Sequence, residues 1–405
     1  MLDYFNLAKQ YGTPLYVYHQ NTLKDRCHSM KNFADTLSKN LPCDVKVSMH
    51  YSSKANSNPA ILSVVKEVGL KVDCMSPYEL LVNEKCGFMP DQMLYVCNNI
   101  SADEMHFVHD KGILICLDSV SQVETWGKHF PGTDIMVRIN PGAPGVGHSE
   151  KVVTSGKETK FGISESSIPQ LFEVAGKYNL NIIGTHQHLG SLFLNDKISD
   201  YIAGVKAGLD IVKRCFSDVK IVDLGGGFGV PYKPNEQPLD LSALTNELLP
   251  VLKEFVEDYP SVEEFKFEPG RYIPCEAGNL IGRVTATKHE NNTWWIGTDI
   301  GMNQLVRPSM YDSYHEIKVI TRNVCDCVIT ANFCGNVCES GDILGKNRSV
   351  HAPEIDDIVV VYNAGAYGYS MASNYTGRGR PAEVMIKDDG TTELIRKAEN
   401  LLDTI

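Results

Sequence analysis

Between residues 45 and 268 the chain repeats one pattern eight times, a short apolar segment followed by a helical stretch. That alternation constrains the fold more than any other feature. The segments are Val45–Ser48, Lys71–Asp73, Met93–Val96, Ile113–Leu117, Asp134–Ile139, Ile182–His186, Ile221–Leu224 and Phe265–Glu268. Helical patterns such as Pro77–Lys85, Ala102–Lys111 and Ile198–Phe216 stand between them. Short apolar strands alternating with helices predict a parallel sheet, and eight of them close as a (β/α)8 TIM barrel. Barrels of this kind keep their chemistry at the carboxyl ends of the strands. Lys54, Asp73, Arg138, His186, His188, the glycines after Leu224 and Glu268 all fall there.

After about residue 280 the pattern changes. Ile281–Thr287, Trp294–Thr298, His315–Val319, Val324–Ile329, Ile358–Tyr362 and Ala382–Ile386 alternate in polarity and are separated by turns. They predict a C-terminal all-β domain, a sandwich or barrel, joined by the N-terminal strand at Leu15–Tyr18. An amphipathic helix is expected at Met1–Gln10. The expected division is a barrel over 22–280 and a β domain over 281–405 with 1–21. A chain of 405 residues is too long for one ordinary core, which suits two domains. The net charge of −12 argues against nucleic acid or an anionic membrane as partner. No apolar run approaches the roughly 20 residues that span a bilayer, and no signal-like segment opens the chain. Twelve scattered cysteines suit the reduced thiols of a cytoplasmic protein. Cys325, Cys327, Cys334 and Cys338 do not follow a usual zinc spacing, and no metal is expected.

The chemistry is read from four places. Val47–Asn56 is a strand that ends in one lysine, Lys54, among small and polar residues. A partly desolvated lysine there suits Schiff-base chemistry, although a surface lysine at a strand-to-loop junction fits the peptide too. Gly225, Gly226 and Gly227 strip three consecutive side chains from a loop after a strand, which lets backbone N–H groups approach a phosphate. A tight turn with no ligand is the other reading. His186-Gln187-His188-Leu189-Gly190-Ser191 offers two histidines but no evident carboxylate to complete a metal set; an imidazole beside an aromatic cofactor and a hydroxyl for its phosphate use it better. Glu268-Pro269-Gly270-Arg271 places a carboxylate at a strand end, suited to a protonated pyridine nitrogen. Together these are the parts needed to hold pyridoxal 5′-phosphate.

The same motifs carry a resemblance. Ser53-Lys54-Ala55-Asn56, Asp73-Cys74-Met75-Ser76, Arg138-Ile139-Asn140-Pro141-Gly142, Gly147-His148-Ser149-Glu150-Lys151, His186–Ser191, Gly225–Gly227 and Glu268–Arg271 resemble the fold type III pyridoxal-phosphate decarboxylases, whose barrel is alanine racemase-like. Met302–Tyr311, Cys338-Glu339-Ser340-Gly341-Asp342 and Gly365–Tyr375 resemble the diaminopimelate branch rather than the ornithine and arginine branches. The resemblance implies decarboxylation of meso-2,6-diaminopimelate to L-lysine, the last step of lysine biosynthesis. It implies that Lys54 holds the cofactor covalently, that His188 lies over its ring and that Glu268 meets its pyridine nitrogen. Asp73, Ser191, Gly225, Gly226, Gly227, Gly270, Arg271 and Tyr367 would complete the cofactor site. Arg271, Arg307 and Tyr311 would take the distal carboxylate of the substrate, Tyr367 would line the same pocket, and Glu339 would take the distal amine. Cys338 would return a proton to carbon. Cys338, Glu339 and Tyr367 would serve the partner chain of a homodimer with shared active sites. Gln304, Tyr78 and Cys334–Val337 depart from the family's usual residues. A decarboxylase of a related carboxylated diamine such as carboxynorspermidine, or a non-decarboxylating pyridoxal-phosphate racemase or carrier, uses much of the same equipment.

Overall fold

The computed structural model describes residues 3–42, 44–142, 146–147, 156, 159–322 and 327–404. The chain divides into two compact units, Arg26–Pro231 with Gln237–Tyr272, and Met1–Asp25 with Tyr232–Glu236 and Ile273–Ile405.

The first unit is a closed parallel barrel. Its strands are β1 (Lys46–Ser52), β2 (Lys71–Cys74), β3 (Met93–Val96), β4 (Leu114–Leu117), β5 (Asp134–Asn140), β6 (Asn181–His186), β7 (Ile221–Asp223) and β8 (Glu264–Phe267). Each pairs with the next, and β8 returns to β1, so the ring has no edge. All eight segments expected from the sequence are present. The helices between them begin where side chains cap them: Ser76, Ser101 and Ser119 each accept the N–H of the third residue on, Glu79, Glu104 and Gln122. Such caps satisfy orphan amides and contribute about 1 kcal/mol each.

Register decides what the strand ends share. Arg138 pairs with His186, His186 with Asp223, and Asp223 with Lys266. Because facing residues of adjacent strands project to the same side, one row across four strands carries four polar side chains, all buried. Ser52 likewise faces Asp73.

The second unit is one branched nine-stranded sheet. Its hub is the long strand Gly278–Glu290, which pairs with Leu15–Tyr18, with Arg283–Leu280's partners Ile358–Val361, and with Thr293–Thr298. Leu15–His19 also pairs in parallel with Ala382–Ile386, so the N-terminal strand joins this sheet as expected. Leu15, Val17, Ile281, Ile358, Val360 and Val384 form its core under the helix Tyr4–Tyr11.

Two strands were not anticipated, Ile343–His351 and Thr392–Arg396. They are the two ends of the strand path, where one side has no neighbour, and their residues are largely polar and half exposed. Of the strand expected over Val324–Ile329, Val328 and Ile329 open the strand Val328–Cys334, and residues 324–326 lie outside the described residues. Cys325 and most of the 147–151 motif lie outside the described residues. No helix among the described residues is long and apolar enough to cross a membrane.

Candidate functional site

In the barrel unit the expected residues gather at the carboxyl ends of the strands. Lys54 sits half-buried in the turn Ser53–Ala55 directly after β1. Its charge bears on Asp73, Glu268, His186 and His188, which draws all four into one electrostatic neighbourhood. Burial, then the nearby Glu268, pushes Asp73 up to about 7, against the pull of Lys54 and of the Ser52 hydroxyl, which donates to its Oδ2 at 2.6 Å. Glu268 is also raised by burial, against Lys54 and Arg138.

His186 Nε2 lies 3.0 Å from Glu268 Oε2, with both side chains almost completely buried. Burial, reinforced by Arg138 and Lys54, holds His186 well below its ordinary range, so the ring is neutral and its Nε2–H donates to the carboxylate. The other carboxylate oxygen, Glu268 Oε1, has no hydrogen-bond partner in the protein, and neither has Asp223 Oδ2. Buried acceptors are rarely left in that state without a purpose.

The glycine loop after β7 is packed too closely for side chains. A Cβ at Gly226 would lie 2.1 Å from the Glu268 carbonyl oxygen, and one at Gly225 2.3 Å from that of Gln187. Gly227 has a φ of +103° that side chains rarely adopt. The loop is therefore restricted to glycine by its contact with the neighbouring backbone, and with no side chains in the way its own amides suit a phosphate. Nearby, Arg271 donates to Ser191 Oγ at 3.1 Å. A free carboxylate oxygen for a ring nitrogen, a side-chain-free cradle, a lysine and an arginine–serine pair fit pyridoxal phosphate.

The remaining candidates lie in the sheet unit. Arg307 is buried, and its guanidinium carbon stands 5.8, 5.6 and 5.9 Å from the ring centres of Tyr232, Tyr311 and Tyr367. It also donates to Ser313 Oγ at 3.2 Å. Such a cage orients a guanidinium and retains its charge. Tyr367 holds a left-handed backbone, φ +56°, a conformation uncommon outside glycine and turn residues and often found where function demands it. Cys338 and Glu339 are exposed on a separate loop, where Tyr375 donates its hydroxyl to the Glu339 carboxylate.

One expectation changes. The sequence offers no carboxylate near His186, yet β-strand register brings Asp223 and Glu268 to it. These three are the one group of metal-competent side chains among the described residues. Tyr232, Asp223 and Tyr375 are site neighbours that the motifs did not assign. Asp223 alone had a local signal, since it immediately precedes the glycines.

Comparison with known proteins agrees with this geometry. The chain matches the family described as pyridoxal-dependent decarboxylase, pyridoxal binding domain, over residues 27–275. It is 35% identical to a diaminopimelate decarboxylase of Methanothermobacter thermautotrophicus, covering 100% of this chain and 93% of that protein. A diaminopimelate decarboxylase of Aquifex aeolicus is 33% identical, over 97% of this chain and 91% of its own. A crystal structure of diaminopimelate decarboxylase from Helicobacter pylori complexed with L-lysine has a TM-score of 0.87 at 29% identity, covering 99% of this chain and 98% of that one.

Proposed function

The chain belongs to the pyridoxal-dependent decarboxylases, on the diaminopimelate decarboxylase branch, and from that premise we propose that it converts meso-2,6-diaminopimelate to L-lysine and carbon dioxide, the last step of lysine biosynthesis. The observation that carries this reading is the buried His186–Glu268 pair, with one carboxylate oxygen to spare, in the electrostatic reach of Lys54.

Lys54 would be the nucleophile that holds the cofactor. Glu268 keeps a negative oxygen for the pyridine nitrogen, while the Nε2–H of His186 occupies the other oxygen and fixes the carboxylate plane. Gly225–Gly227, Ser191, Gly270 and Arg271 would hold the phosphate, Asp73 would steady the Lys54 amine, and His188 would cover the ring. Bound there, pyridoxal phosphate supplies the electron sink for the electron pair left when carbon dioxide departs. Arg307, with Tyr311 and Tyr367, would bind the distal carboxylate, and Glu339 the distal amine. Planar, always-charged arginine suits a carboxylate better than lysine does. Cys338 would give its thiol proton to the carbon that has lost carbon dioxide, so that a C–H bond replaces the C–C bond on one face only.

Cys338 and Glu339 stand exposed on their own chain, whereas stereospecific proton delivery needs a site closed to water. That supports a homodimer in which each protomer lends these two residues to its partner. Free thiols throughout the described cysteines support a cytoplasmic location.

The direct test is carbon dioxide release from a panel of meso-diaminopimelate, L-lysine, L-ornithine, L-arginine and carboxynorspermidine. Preference for meso-diaminopimelate, with Arg307→Ala losing about 2–5 kcal/mol of binding, is expected. Preference for another member, or racemisation without release, overturns the assignment. The shared site is tested by mixing Lys54→Ala with Cys338→Ala. Recovery toward a quarter of wild-type activity, roughly what random pairing allows, is expected; no recovery after verified exchange rules the sharing out.

A further inference from the structure

One buried carboxylate, Asp342, fastens together the two loops of the sheet unit that carry its functional residues. Its side chain is 2% exposed. Oδ1 accepts the Met302 N–H at 2.6 Å, and Oδ2 accepts the Val337 N–H at 2.8 Å. Its own backbone closes the same turn: Asp342 N–H donates to the Glu339 carbonyl at 3.0 Å, and Gly335 N–H donates to the Asp342 carbonyl at 3.1 Å. Val337 immediately precedes Cys338, and Met302 opens the segment that leads to Arg307. Ser309, within that segment, donates to the Gly341 carbonyl at 2.6 Å, a second tie between the two loops. The packing leaves no slack, for a Cβ at Gly335 would lie 2.4 Å from Asp342 Oδ2 and 2.5 Å from Gly301 Cα.

We propose that Asp342 is a positioning residue for proton delivery: its ionised carboxylate holds the 335–342 turn so that Cys338 and Glu339 stand in one fixed orientation. The proposal rests on the reading of Cys338 as the proton donor. Cys338 is exposed, and Glu339 is tied to Tyr375 and, through its backbone, into the same turn, so the orientation of the pair depends on how the buried end of that turn is held. An ionised carboxylate suits this task because it accepts on both oxygens. An amide does not, since its NH2 would face an N–H donor and one tie would become a repulsion. Burial pushes the Asp342 carboxyl up, while the Val337 and Met302 amides pull it back toward the ionised form.

The experiment compares Asp342→Asn with Cys338→Ala and wild type, as holoenzymes, in deuterium oxide. Turnover of meso-diaminopimelate and the handedness of deuterium at the ε-carbon of the lysine product, the carbon that has lost carbon dioxide, are measured, with the cofactor absorbance as a control. Asp342→Asn should keep normal absorbance, lose about tenfold or more in kcat/KM through misplacement of the donor, and place deuterium on both faces. Gly335→Ala, which pushes on the same carboxylate without changing charge, should act in the same direction and serves where Asp342→Asn does not fold. If Cys338→Ala is impaired but both clamp variants turn over normally with one-handed product, the role of Asp342 is wrong. If Cys338→Ala itself works normally with one-handed product, the proton-donor reading fails, and this inference fails with it.

Discussion

The barrel holds two buried polar clusters on the same strands, and they differ in one respect. Toward the amino ends, Lys266 meets Glu264 at 2.8 Å and His50 Nε2 at 3.2 Å, Ser48 donates to Glu264 at 2.6 Å, and His50 Nδ1 faces the Val72 carbonyl. Every buried side-chain nitrogen and oxygen of that set has a partner. At the carboxyl ends, Glu268 Oε1, His186 Nδ1, Asp223 Oδ2 and Arg138 Nη2 are buried with none in the protein. The first cluster is closed, which suits a structural role. The second is open, with acceptors and donors committed in advance to something that binds. Lys266 faces Asp223 across adjacent strands, so the two clusters adjoin, and the distinction is which of them keeps unpartnered atoms at the carboxyl ends of the strands.

The largest effect should come from the open cluster. Glu268→Gln leaves the shape and removes the negative oxygen, so kcat should fall by about a hundredfold or more while the melting temperature moves little. Steady-state assays with thermal melts measure both, and a large loss of stability with normal activity would erase the distinction between the clusters.

The closed cluster should behave oppositely. Burial lowers Lys266 even though Glu264 opposes it. For Glu264, burial raises the carboxyl, but Lys266 and Ser48 pull harder and leave it below its ordinary value. Glu264→Ala strands a buried ammonium and should cost about 3 kcal/mol in denaturant unfolding. Glu264→Leu combined with Lys266→Met should recover most of that loss, with activity per folded molecule kept. Failure of the pair to recover would mean that the cluster does more than fill the barrel.

The smallest effect concerns pH. Asp73 is pushed up to about 7 from 3.8, so the fold favours its protonated form. Its contribution is therefore fully present below the ordinary carboxylate range and is lost as pH rises toward 7. In cofactor-free protein, Asp73→Asn should flatten the decline in stability between pH 5 and pH 7 by about 1–2 kcal/mol. Parallel pH profiles for variant and wild type would contradict the assignment.

Much of this was legible in the sequence, because a barrel strand and its following loop are local features. The eight apolar segments, Lys54 after β1 and Glu268 after β8 could all be found by looking at a few residues at a time. What was not legible depends on partners distant in the chain. His186 and Glu268 meet across 82 residues, and Tyr232 reaches Arg307 from a five-residue segment counted with the sheet unit. Asp342 acts through two main-chain amides, which carry no residue-type signal at all. The strands Ile343–His351 and Thr392–Arg396 escaped because half-exposed edge strands lose the alternation that marks a strand.

The contrast between the clusters singles out two barrel lysines, Lys54 at the open end and Lys266 in the closed set. Borohydride reduction of the holoenzyme fixes a lysine-bound cofactor permanently, and peptide mapping by mass spectrometry locates it. The cofactor's mass should appear on the peptide containing Lys54, with Lys266 unmodified and Lys54→Ala carrying no adduct. Adduct on Lys266, or on no lysine of the barrel, would contradict the account at its centre.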